Sequence, residues 1–88
     1  MPTPGGIEFE LLKGRLICYL SSLWDLVKSE DLRNAIDNII HRIANSNTPS
    51  QLVRVLHDLH LLKKALPKDL ESERNVIRRF MNEIEDLL

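Results

Sequence analysis

From Ile7 onward, apolar residues recur three and four positions apart for most of the chain. Phe9, Leu12, Leu16, Leu20, Leu23 and Val27 form the first such series, with Ile17, Tyr19, Trp24 and Leu26 beside it. At ~100° per residue this spacing draws one broad apolar face on a helix over roughly 7–28. Ser29 then offers an N-cap oxygen, and Glu30 and Asp31 put carboxylates in a first turn where the helix dipole favours them, so a second helix runs over roughly 30–45. Its stripe is Leu32, Ala35, Ile36, Ile39, Ile40 and Ile43, and it ends at Asn45, Ser46 and Asn47, whose side chains compete with helical hydrogen bonds.

Thr48, Pro49, Ser50 and Gln51 read as a capping box with proline in the first turn. The third helix therefore spans roughly 49–66, buries Leu52, Val55, Leu56, Leu59, Leu62 and Leu66, and stops before Pro67. Asp69 or Ser72 is positioned to cap a fourth over roughly 69–88, with Leu70, Ile77, Phe80, Ile84 and Leu87 on a heptad-like seam and Val76, Met81 and Leu88 alongside. No strand-like alternation occurs. Met1 to Gly6, with two prolines and two glycines, reads as a flexible tail, leaving 7–88 as a single helical domain. The expected fold is all-α, an antiparallel bundle of about four helices, because short links favour antiparallel neighbours. A chain of 88 residues has difficulty burying both the wide arc of its first helix and the seam of its fourth, which points to a homodimer with two-fold symmetry.

Charge narrows the picture little: 12 Lys and Arg stand against 13 Asp and Glu, for a net charge of -1. Its distribution is uneven. Residues 41–68 hold five cations and one acid, a local excess of +4, whereas the part from Asp69 on holds three arginines against six acids, or -3. Without an overall basic excess, nucleic acid is not the expected partner. The single Cys18 allows no internal disulfide and points to a reducing compartment, so the cytoplasm is expected. The longest uncharged run, Leu16 to Trp24, falls well short of the ~20 residues that a membrane helix needs. The N-terminus lacks a basic leader and a small-x-small cleavage site, and reads as retained.

Candidate chemistry is sparse. No phosphate-binding glycine loop, HExxH or paired-cysteine signature is present, and nothing places a base beside Cys18, so neither catalysis nor a cofactor is expected. His57 and His60 could share a metal on one helix face, but only the distant Cys18 and His41 could complete four ligands, so no metal is expected. His60-Leu61-Leu62-Lys63 resembles the H-x-L-K segment of histidine-phosphotransfer domains. That resemblance implies a four-helix bundle in which an exposed His60 accepts phosphoryl and Lys63 steadies its charge. Lys64 stands where that family has a glycine. Ile39 to Leu59 has the outline of a helix-turn-helix, which makes a small DNA-binding regulator a further alternative, although the turn lacks glycine and is long for that motif.

The most economical expectation is a protein-binding module: an adaptor, inhibitor or regulatory subunit. Helix one also carries a stripe of small residues, Gly14, Cys18 and Ser22, on its other side. On helix three, Val53 and Leu61 point away from the core stripe, among Arg54, His57, His60 and Lys64. These six residues are the expected partner-binding face, suited to a protein that is acidic around an apolar spot. The histidines would tighten such binding toward about pH 6 where they face carboxylates.

Overall fold

The computed structural model describes residues 4–87, with side chains from Ile7 onward. It is all-helical, with no strand among the described residues: α1 spans Pro4–Leu26, α2 Glu30–Ala44, α3 Pro49–Val53, α4 Val55–Ala65 and α5 Glu71–Asp86, with a 3-10 turn at Lys68–Leu70 before α5. Because α3 and α4 form one broken rod, four helical rods pack together. The molecule measures 44 × 21 × 19 Å, a cross-section that fits two helices by two.

The packing follows from the apolar stripes. Phe9, Leu12, Leu16, Leu20, Leu23 and Val27 of α1 and its end meet Ile36, Ile39 and Ile43 of α2, Leu52 of α3, Val55, Leu59 and Leu62 of α4, and Ile77, Phe80 and Ile84 of α5 in one buried cluster. The polar ties give the directions. Lys13 Nζ donates to the Ser46 carbonyl at 2.7 Å, while the Arg33 guanidinium lies 4.4 Å from the centre of the Trp24 ring, so α1 and α2 are antiparallel. Arg15 meets Glu83 at 2.9 Å and Tyr19 meets Glu73, so α5 is antiparallel to α1. Arg42 pairs with Asp58, and Arg74 donates to the Leu66 carbonyl. Around the bundle the rods run α1, α2, α4, α5, each packed on the next.

This arrangement accounts for the wide arc of α1, which touches α2 on one flank and α5 on the other. Ile17, Tyr19 and Trp24 are half-buried against the core, and Val76, Met81 and Leu87 beside the α5 seam are half-buried too. One chain thus covers most of both surfaces. Leu26 differs from expectation, being 52% exposed in the last turn of α1. Gly14, Cys18 and Ser22 face solvent, with nothing within 4 Å of a Cβ built on Gly14.

The caps at the starts of α2 and α3 form largely as the sequence dictates. Ser29 Oγ accepts from the Leu32 amide at 3.4 Å, and Thr48 Oγ1 from the Gln51 amide at 3.3 Å. Gln51 returns its bond to the amide of Asn47, at 2.6 Å, instead of to Thr48. Other boundaries shift. α1 begins at Pro4, inside the stretch read as a tail, whose residues 1–3 lie outside the described residues, and it ends at Leu26. The third helix is interrupted at Arg54, whose amide donates to the Gln51 carbonyl three residues back, a 3-10 step inserted between α3 and α4. Leu66 is extended, as the residue before Pro67 must be. At α5 neither Asp69 nor Ser72 caps: Leu70 occupies the cap position with no side-chain bond, and the 3-10 turn leads directly into the helix.

Candidate functional site

The six residues expected to form a binding face lie on α3, the Arg54 break and α4. The buried residues of α4, Val55, Leu59 and Leu62, define its inner side, and at ~100° per residue His57, His60, Leu61 and Lys64 fall on the opposite side. Arg54, His57, Leu61 and Lys64 are exposed, with Leu61 at 51%, while His60 is half-buried. Val53 departs from the group. It is half-buried and packs against the core, because the 3-10 step at Arg54 resets the phase of α3 against α4.

Leu61 also forms one lip of a groove of about 710 Å³ between α2 and α4. Leu32, Ile39 and Leu62 supply its apolar floor, and the groove stays open because Ala35 and Ala65 face it from the two helices, too small to fill the space between them. The Arg42–Asp58 ion pair and His41 close one end, and Asp31 stands at the other. Sequence reasoning missed this groove. Ala35 reads as an ordinary stripe residue and Ala65 carries no signal, and only the pairing of α2 with α4 brings them opposite each other.

Among the described residues the ion pairs are Arg15–Glu83 and Arg42–Asp58, so Arg54, Lys63, Lys64 and Lys68 have no carboxylate within pairing distance. The far side of the bundle shows the reverse. There α1 and α5 enclose a smaller groove of about 300 Å³ lined by Leu11, Leu12 and Leu87 with Glu8, Glu83 and Asp86, and with Arg15 as its one cation. Ile7 and Leu11 on that end of α1 are 55% and 62% exposed.

For chemistry the arrangement offers little. Among the described residues no three His, Cys, Asp or Glu side chains converge closely enough to hold a metal ion. The four-helix architecture is the one that resemblance to histidine-phosphotransfer domains implies, but His60 and Lys63 are both half-buried on the flank of α4 and Lys64 stands exposed beside them. The helix-turn-helix outline is not matched in space. Asp31 and Ala65 line one end of a groove whose other end holds Arg42 and Asp58, so α2 and α4 lie side by side and antiparallel instead of crossing steeply. No described helix is long and apolar enough to cross a membrane. Comparison with protein-family models, curated proteins and solved structures finds no match.

Proposed function

We propose that this chain is a small helical protein-binding module, an adaptor, inhibitor or regulatory subunit with no catalysis of its own, acting through the outward face of α4. The observation that carries the reading is Leu61, a half-exposed leucine on the lip of an apolar groove, set among cations without ion-pair partners. An isolated surface leucine is ordinary. One continuous with a groove and flanked along its helix by exposed cations has the anatomy of a small interface, with an apolar anchor and a charged rim that steers the partner. Arg54, His57, His60 and Lys64 form that rim with Leu61 at its centre, and Val53 contributes from its half-buried position. The partner's surface is acidic around an apolar spot. A single exposed thiol, Cys18, suits a reducing compartment such as the cytoplasm.

The test is affinity capture from the native host with wild type, Leu61→Asp and Lys64→Glu side by side. Leu61→Asp abolishes capture, Lys64→Glu slows association and flattens its salt dependence, and both keep the wild-type circular dichroism spectrum. Capture by Leu61→Asp at wild-type levels overturns the reading. The four-helix architecture keeps phosphotransfer as the second reading. It requires an acid-labile label on wild type, delivered by a phosphorylated response-regulator domain and lost in His60→Gln.

A further inference from the structure

We infer that the partner recognised by the outward face of α4 is a second copy of this chain, docked head to tail through the acidic, apolar end of its α1–α5 edge. The inference rests on the binding role proposed for that face and names its occupant. Two surfaces of the molecule complement each other. One is Leu61, 51% exposed, with the unpaired cations Arg54 and Lys64 on the same outward side and with Asp58 of its groove already paired to Arg42. The other is Ile7 and Leu11, 55% and 62% exposed, beside Glu8, Glu83 and Asp86. Three of the four large apolar side chains left most exposed therefore sit in two patches of opposite charge. Among the residues lining that groove the one cation, Arg15, is paired with Glu83, which leaves Glu8 and Asp86 as the free carboxylates of the patch. Burying leucine against leucine supplies attraction, and the opposite rims orient the encounter and penalise pairing of like patches.

The position of the two patches decides the symmetry. α2 and α5 each pack on both α1 and α4, so α1 and α4 occupy opposite corners of the bundle, and the α2–α4 groove opens on the side away from the α1–α5 groove. A two-fold axis cannot satisfy both patches at once when they point in opposite directions. The contact is therefore heterologous, and each copy that docks presents a fresh patch to the next. Small interfaces of this kind are weak and reversible, and salt screens their charged rims. Association of this kind is open-ended, where a two-fold dimer would close after one contact.

Sedimentation velocity and light scattering from micromolar to millimolar protein test this directly. Wild type gains mass past the dimer without a plateau at low salt, and high salt suppresses the growth. Leu61→Asp and Leu11→Asp each raise the concentration needed for association about tenfold or more. Mixed together, the two variants form a one-to-one pair that grows no further, because each supplies the one face the other has lost. Both side chains are more than half exposed, and circular dichroism checks that folding is intact. Should Leu61→Asp perturb it, Lys64→Glu, at an exposed position, replaces it with the same expected weakening. A wild-type chain that stays monomeric at millimolar concentration, a plateau at the dimer, or a mixture that forms no pair each overturns the inference. A monomeric wild type whose capture of a host protein still depends on Leu61 removes self-docking and leaves the binding role standing. Loss of neither property in Leu61→Asp removes both.

Discussion

The α1–α5 side and the α2–α4 side of the bundle are built from the same kind of apolar stripe yet end as different surfaces. On the first, large side chains close the seam. The Tyr19 ring packs tilted against Phe80 with ring centres 5.5 Å apart, its hydroxyl donates to Glu73 Oε1 at 2.8 Å, and the Arg15 guanidinium lies over the Phe80 ring while pairing with Glu83. On the second, Ala35 and Ala65 leave the seam unfilled, Leu61 stands at its lip and one ion pair, Arg42–Asp58, spans it. Side-chain size at facing positions, more than hydrophobicity, therefore decides whether a helix pair makes a closed edge or an open groove. The filled stretch of the α1–α5 edge around Tyr19 and Phe80 helps hold the fold together, whereas the α2–α4 seam stays open as a groove along its length.

The contrast breaks most visibly with one truncation on each side. Leu20 is fully buried in α1, and Leu20→Ala is expected to cost about 3 kcal/mol, whereas Leu61→Ala shifts stability by less than about 0.5 kcal/mol. Urea denaturation of the two variants measures the difference, and equal losses would mean that Leu61 belongs to the core. Next in size is the start of the rod that borders the groove, where Thr48→Ala is expected to cost about 1 kcal/mol in the same assay through loss of the cap on α3.

Tyr19 tests the closed edge by pH. Burial first, and then the hydrogen bond to Glu73 and its charge, push the Tyr19 hydroxyl above the ordinary tyrosine range. A group whose proton is held more tightly in the folded state is lost first from the unfolded chain. Its stabilisation is complete below about pH 10 and fades as pH rises toward the folded value. Tyr19→Phe is expected to cost about 1 kcal/mol at neutral pH and to narrow its gap to wild type above pH ~10, as melting temperatures across that range will report. The smallest effects belong to the ion pairs. The Arg15 and Arg42 side chains are each 60% exposed, so Arg15→Ala and Arg42→Ala should each cost only a few tenths of a kcal/mol, less at high salt.

Some of this molecule is legible residue by residue along the chain. Ser29 and Thr48 announce two helix starts, Pro67 forces the end of α4 one residue before Leu66, and the stripes of α1, α2 and α5 name most of the buried cluster. These are local matters: a cap needs an oxygen two or three residues from an amide, a proline restricts the residue before it, and helical phase advances by about 100° per residue whatever the rest of the chain does. The same locality hides the 3-10 step at Arg54, which turns Val53 inward, and the Gln51 bond that goes to Asn47. The buried Ser46 is hidden too: its hydroxyl donates to the Arg42 carbonyl at 2.7 Å and its own carbonyl receives Lys13, 33 residues away.

What the sequence determined by itself was the set of helices, their inner faces and the uneven spread of charge, since each depends on neighbours within a few residues. Which flanks would meet was decided only in the tertiary structure. That Ala35 faces Ala65 across an open groove, that Tyr19 reaches Glu73, and that Ile7 and Leu11 stand on the corner opposite Leu61 all depend on how rods far apart in sequence pack side by side. Close packing is a property of pairs of surfaces, and a single stripe specifies only one member of each pair.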